Sequence, residues 1–558
     1  MKIILFLLFI LLTTFSFCQI DSNSFYHSPL DIPLKLSANF GELRPNHFHM
    51  GIDYRTNGVE GIKIFAIEDG YIARVKVSPF GYGKVVYINH PNGITSVYAH
   101  CSSFSGKLDS IVKQKQIEQQ NFEIEFLPDS NLIPVKRGES FALSGNTGNS
   151  SGPHLHFELR DTKTEIALNP LINGFEVFDT LAPTIKGLKI YALTKESYRW
   201  PNKSKLINVT RTKNKFQIPN SLVTISPDYC SEGGIGFAIE ANDHINGYTH
   251  EFSYFGSKLI VNNDTVFIQE NDEITFDASK AINTHEDIEE NKKSKRKFQK
   301  SFKTEQNPLE IYTLDKNGIV KIKPNDSLNV KYQVYDTHNN TSEIDFKLKV
   351  QNGQINQKLF NITNQLSPAS EYKFEDTSSF IRVKEGCVYE PIPLNFQNKN
   401  GISIGNASNP IHTPIEVKLR LKNAELPIQK YIIKNTSLNK ALDTKYNEGW
   451  LTAESKNLGN FVIDFDTIAP SLFPLNFNLN DTLLKKSTIT WKVNEEKTSL
   501  KDYDLFIDNQ WQLLEYESKG SYLFYRRQND LVGKHFLKII VADSCGNSRI
   551  WEKEITFD

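Results

Sequence analysis

Seven of the 13 histidines in the chain fall between residues 27 and 156: His27, His47, His49, His90, His100, His154 and His156. Imidazoles and carboxylates at short spacings are the usual material of metal sites and of proton transfer. The spacing His-x-x-x-Asp occurs twice, as His27 to Asp31 and as His49 to Asp53. His-x-His also occurs twice, as His47-Phe48-His49 and His154-Leu155-His156. Either spacing alone says little, because an ordinary surface pair produces it just as well. Order and context must supply the rest.

In sequence, Phe40-Gly41-Glu42-Leu43-Arg44 precedes His49-Met50-Gly51-Ile52-Asp53-Tyr54. Gly81-Tyr82-Gly83 then stands ahead of a strand, followed by Tyr98-Ala99-His100. The last segment is Gly145-Asn146-Thr147-Gly148-Asn149-Ser150-Ser151-Gly152-Pro153-His154-Leu155-His156-Phe157-Glu158. Over residues 36–170 this ordered set resembles the lysostaphin/LytM type of zinc metallo-endopeptidase, and the last segment is its most specific part. The resemblance implies an antiparallel β-sheet peptidase domain and hydrolysis of peptide cross-links or stem peptides of bacterial peptidoglycan. It implies that His154 and His100 flank the metal as the catalytic pair without binding it, with His154 as base and His100 as the orienting or oxyanion-stabilising group. Sequence does not divide those two roles. A catalytically inactive LytM-like regulator or cell-wall binding protein is the alternative, although such relatives typically lack metal ligands.

The residue types agree with a metal hydrolase. Catalytic zinc takes three nitrogen or oxygen ligands and keeps a fourth position open. His49, Asp53 and His156 supply two imidazoles and a carboxylate for one Zn2+ per chain, and spacings of four and two keep side chains on one face of an extended strand. Such a metal polarises a carbonyl and acidifies water, so no protein nucleophile is needed. His154 shares the strand face of His156. The Gly- and Ser-rich run Gly145 to Gly152 allows tight turns before that strand. His47 lies outside the matched motif and His90 beside a Pro-Asn-Gly turn, so both read as ordinary residues.

The elements that must position these side chains are strands. Short alternating apolar and polar runs broken by Gly, Pro, Asn and Asp mark a mainly β chain. Ile62 to Ile67, Asp69-Gly70 and Tyr71 to Val77 read as strand, turn, strand. Two stretches read as solvated surface helices: Lys107 to Gln120, and the charge run His285 to Lys300. A polar segment, 102–134, is an insertion relative to compact members of the family and either walls the groove or is a surface excursion. An internal echo sets boundaries: Asp179-Thr180-Leu181-Ala182-Pro183 resembles Asp466-Thr467-Ile468-Ala469-Pro470, and Asp336 precedes Asn340 as Asp543 precedes Asn547. The expected division is a signal peptide over 1–18, the peptidase domain over 19–178, an immunoglobulin-like β-sandwich over 179–350, a β-rich domain over 351–465 and a second immunoglobulin-like sandwich over 466–558.

Lys2 and the apolar run Ile3 to Phe17 form a segment too short to span a bilayer, with Ser16 and Cys18 suited to signal cleavage. Export to the periplasm, cell envelope or medium is expected, with lipoprotein anchoring at Cys18 disfavoured by bulky Phe17. No later stretch suits a membrane helix. A net charge of -1 gives no basic face for nucleic acid. The expected partners are peptidoglycan peptides and, through the C-terminal domains, proteins of the envelope. Cys101, Cys230, Cys387 and Cys545 lie too far apart in sequence to read as a disulfide framework.

Overall fold

The computed structural model describes residues 26–213, 215–355, 364–398, 401–477, 483–527 and 531–558. The expected signal peptide, with Cys18, lies outside the described residues. The chain is mainly β, as its alternating pattern requires.

The peptidase sheet is built from β1 (Leu36–Ala38), β2 (Ile52–Arg55), β3 (Gly70–Val77), β4 (Lys84–Asn89), β5 (Ile94–Cys101), β6 (Ile124–Phe126), β7 (His154–Asp161) and β8 (Ala167–Leu168). Its order is β1-β2-β7-β5-β4-β3-β6, with β8 paired to β7. Alternation decides what each face does. Ile52, Tyr54, Tyr98, Leu155, Phe157 and Leu159 point into one apolar core. Asp53, His154, His156 and Glu158 therefore share the opposite face. Antiparallel register places His156 across from Asp53 on one side and from Ala99 on the other.

That core does not close at residue 178. Ile245, Phe252, Ile274, Ala281, Ile282 and Leu309 join it, and the strand Glu273–Ile274 pairs with β8 at the sheet edge. The first sandwich thus completes the peptidase core. Beyond it lie three pairs of sheets, each enclosing its own apolar cluster, over roughly 184–350, 366–463 and 472–557.

Several local expectations need correction. Gly106–Gln119 is helical, but it is pinned inward by Leu108, Val112 and Gln116. The insertion that carries it adds β6 at the sheet edge remote from β7. The run His285 to Lys300 is no solvated helix: it breaks into Ile282–His285, Ile288–Ser294 and a strand Gln299–Lys300. Asp287 is fully buried there because Lys189, Arg199 and Tyr191 supply its partners. Lys63–Phe65 and β3 are the strands expected on either side of the Asp69-Gly70 turn, although they belong to different sheets. All four described cysteines are free and buried.

Candidate active site

Asp53 and His156 reach the site from neighbouring strands, as the register demands. His49 arrives differently. It precedes β2, outside any strand, and is fixed by backbone bonds from Gly41 N to its carbonyl at 2.9 Å and from its own amide to Glu42 O at 2.9 Å. The expectation that the four-residue spacing lies along one extended strand is therefore incorrect. A short hairpin of Leu43–Arg44 with His47–Phe48 folds His49 back onto the sheet face.

Three atoms converge. His49 Nε2 lies 3.0 Å from Asp53 Oδ1 and 3.0 Å from His156 Nδ1, and the last two are 2.9 Å apart. The remaining ring nitrogens are committed elsewhere. His49 Nδ1 donates to Asn39 O at 2.7 Å, which leaves Nε2 a lone pair. His156 Nε2 donates to Glu158 Oε1 at 2.8 Å, which leaves Nδ1 a lone pair. Two imidazole lone pairs and a carboxylate oxygen thus point at one place, where a shared cation or proton is needed to reconcile them. Ligands of a tetrahedral zinc, at roughly 2.0–2.2 Å from the ion, stand roughly 3.3 Å from one another, so the triangle is of the right size. Exposures of 7%, 9% and 5% for His49, Asp53 and His156 keep bulk water from competing.

The electrostatics follow from that crowding. Burial opposes a charge on Asp53, yet His49 and His156 overcome it and hold the carboxyl well below the ordinary range. Burial likewise disfavours the His156 cation, but Asp53 and Glu158 raise it to about 9. Glu158 is fully buried between His156, Arg160 and the Tyr82 hydroxyl. Arg160 and those donors outweigh its burial and lower it to about 2.

His154 and His100 stand beside the triangle. His154 Nε2 is 3.5 Å from Asp53 Oδ1, and the rings of His100 and His154 are 4.8 Å apart. Each donates Nδ1–H to a backbone carbonyl at 2.8 Å, His154 to Gly152 and His100 to Thr147. Both therefore keep Nε2 as an acceptor. Burial, then the neighbouring imidazoles, hold His100 down to about 3, and burial lowers His154. Both are neutral at neutral pH. Strand alternation would send His100 to the face opposite Ala99. Its left-handed backbone, φ 60°, beside an irregular stretch of the β4–β5 pairing, turns the ring back toward the site.

The other histidines lie elsewhere. His90 is buried with Nε2 on Ser96 Oγ at 2.7 Å and Nδ1 on Asp69 O at 2.9 Å. His47 is exposed, and the His27 ring bonds the neighbouring Ser28 carbonyl. Spacing did not single out Asn39, Tyr82, Thr147, Glu158 or Arg160 as supports. Glu158 alone was legible in principle, since period two places it on the face of His154 and His156.

Residues 47–117 match Peptidase family M23. The N-terminal domain is similar to that family over these residues. Its match includes His49, Asp53 and His100 and stops short of His154 and His156. An uncharacterized metalloprotease of Haemophilus influenzae is 34% identical over 158 residues, 27% of this chain and 27% of that protein. DD-carboxypeptidase/endopeptidase Mpg of Neisseria meningitidis is 33% identical over 145 residues, 25% of this chain and 27% of that protein. The chain thus spans about a quarter of the length of these relatives. The catalytic domain of lysostaphin from Staphylococcus simulans aligns with a TM-score of 0.19 and 23% identity, covering 25% of this chain and 90% of that one. Residues 363–466 match a Zu5-like domain.

The last sandwich returns to the rim of the M23 domain. Lys519 Nζ donates to Asn146 O and, at 3.2 Å, to Ser150 O. Ser518 Oγ donates to Pro79 O at 2.6 Å, and Lys84 pairs with Glu515 at 2.8 Å, largely out of water. The loops so clamped carry Tyr82 and Thr147, which back His156 and His100. Beside His154 an open groove of ≈ 430 Å³ is lined by Ser37, Arg55, Asn57, Ser151, Gly152 and Pro153.

Proposed function

We infer that the protein is an exported zinc metallo-endopeptidase that cleaves peptide cross-links of bacterial peptidoglycan. One observation carries the reading: two imidazole lone pairs and a carboxylate oxygen converge at 2.9–3.0 Å, with each ring's other nitrogen tied to an oxygen. That donor set fits zinc, with His49, Asp53 and His156 as its ligands. Zinc bound there supplies Lewis acidity toward a peptide carbonyl and makes water a nucleophile at neutral pH. Neutral His154, with Nε2 facing the same point, is placed to take a proton from the attacking water and to pass it to the leaving amine. His100, whose Nε2 is likewise an acceptor, is placed to receive a proton from the same centre. The groove beside His154 is where an extended peptide would lie.

The substrate class is supported by relatives named as DD-endopeptidases, among them ShyA of Vibrio cholerae, 29% identical over 143 residues. The apolar leader supports export. A regulator without activity would be expected to have lost a ligand, and this chain carries all three. The test is mass spectrometry of fragments released from defined cross-linked muropeptides. Wild type should yield the separated stems and His156→Ala none; equal release by both would refute the assignment.

A further inference from the structure

A second convergence of charge lies where the peptidase domain meets the first sandwich. Asp179, Asp243 and Asp336 are 7%, 4% and 2% exposed, and each offers a carboxylate oxygen within 4.8 Å of the others. They come from the connecting segment, the end of the strand Ile235–Asn242 and the turn after Ser327–Tyr335. The charges acting on Asp243 are those of Asp336 and Asp179, and no ion pair among the described residues reaches the cluster. Three like charges in a dry site repel one another strongly.

Backbone amides nevertheless reach all three. Leu181 N and Asn246 N reach Asp179 Oδ1 at 3.0 and 3.3 Å, and His338 N and Asn340 N reach Asp336 Oδ1 at 2.8 and 2.9 Å. Asp243 also takes a backbone bond from His244, but its Oδ1 is buried without a hydrogen-bond partner. The hydroxyl of Ser253 is buried and unpartnered as well. Asp179, Asp243 and Ser253 line one small, partly open cavity of ≈ 20 Å³ together with Asn39. Roughly 10–15 Å³ suffices for one water, so the space suits a single small ion. Burial, then the charge of Asp336, pushes the Asp243 carboxyl up to about 8, as expected of a site that lacks positive charge.

We propose that calcium binds here, held by Asp179 and Asp243 of the cavity lining and by the adjoining Asp336, at the junction of the peptidase domain and the first sandwich. All-oxygen donors select a hard cation. Calcium tolerates the irregular geometry of carboxylates from three segments, whereas magnesium demands a near-octahedral shell. The cluster Asp466, Glu495 and Asp543 in the last repeat is built differently, with Asp466 Oδ2 accepting from Thr498 Oγ1 at 3.1 Å and Lys430 donating to Asn547 Oδ1. We assign no ion to it.

The cavity wall connects to the candidate active site. Asn39 Nδ2 donates to Ser253 O at 2.7 Å, and the Asn39 carbonyl accepts from His49 Nδ1 at 2.7 Å. A cation here would stiffen the peptide that fixes the His49 tautomer, a consequence that rests on the zinc reading, whereas the calcium site does not.

The test is equilibrium dialysis of the full chain against radioactive calcium at roughly 1 mM free ion, the range of extracellular calcium modules, with zinc present. Asp243→Asn should bind one equivalent fewer than wild type and should lose the rise in thermal midpoint that calcium gives wild type. Asp179→Asn serves as the second variant should the first not fold. His156→Ala should keep the full calcium count whatever its activity, which separates this site from the zinc reading. No binding by wild type, or an unchanged count in both aspartate variants, would mean that the cavity holds water only and would overturn the proposal.

Discussion

Glu158→Gln tests the support of the metal centre without touching a ligand. The carboxylate is fully buried, accepts from His156 Nε2 at 2.8 Å and from Arg160 Nε at 2.7 Å, and also takes the Tyr82 hydroxyl. Glutamine keeps the shape and removes the charge. Arg160, whose side chain is 6% exposed, then loses its counter-ion in a dry site. Lowering the Glu158 carboxyl from 4.5 to about 2 corresponds to roughly 3 kcal/mol at about 1.4 kcal/mol per pH unit, the same scale as breaking a buried ion pair, about 3–5 kcal/mol. Because the folded value lies below the unfolded one, this contribution is present above about pH 4.5 and fades as pH falls toward 2. The second effect falls on His156, whose tautomer and orientation are no longer fixed by a charged acceptor. Losing such a partner typically costs about 10–100-fold in metal affinity. Zinc competition against a chromophoric chelator at neutral pH reads the second effect, and thermal denaturation the first. Tyr82→Phe, which leaves the carboxylate in place, should lose less on both scales. A folded Glu158→Gln protein that binds zinc as tightly as wild type would refute the reasoning.

Replacing His154 or His100 by Ala should lower turnover by about 10²–10⁴-fold while leaving one zinc per chain; loss of the metal in either variant would show that it is a ligand instead. Zinc must displace the proton held by His156, so apparent zinc affinity should rise roughly tenfold per pH unit below about pH 9 and level off above it. A flat dependence between pH 6 and 8, read by the same competition assay at roughly constant ionic strength, would contradict a His156 that holds a proton until the metal displaces it. Glu515→Ala strands Lys84 in a nearly dry contact and should weaken docking of the last sandwich by about 3 kcal/mol. Burial raises the Glu515 carboxyl, but Lys84 lowers it overall, so this docking should be intact above the ordinary carboxylate range and loosen as pH falls through the lowered value. Hydrogen exchange at residues 78–84 and 146–150 reads it; unchanged exchange in Glu515→Ala would contradict the clamp.

The parts of this site legible in the sequence were those governed by strand alternation. Period two puts His154, His156 and Glu158 on one face, and antiparallel pairing brings Asp53 opposite. His49 escaped that logic because a loop, not a strand, carries it. His100 escaped because a left-handed backbone reverses its direction, and no local pattern announces a positive φ at histidine. The charge run His285 to Lys300 read as a solvated face because sequence cannot show Lys189 and Arg199 arriving from two distant strands to neutralise Asp287. The paired Asp and Asn positions, legible as an internal echo, form matching turns: Asp336 and Asp543 each accept from the amide four residues on, at 2.9 Å. Their repetition did not reveal that Asp243 completes a carboxylate cluster, since that contact depends on tertiary packing. Nor could periodicity show that Ile245, Phe252 and Ile282 complete the core of the preceding domain.

The central claim is that one zinc sits among His49, Asp53 and His156. Anomalous scattering from crystals, measured on either side of the zinc absorption edge, tests it most directly. The account predicts a single strong peak roughly 2.0–2.2 Å from His49 Nε2, Asp53 Oδ1 and His156 Nδ1. A zinc-loaded crystal with its peak held by other residues, or with none at that point, would contradict it.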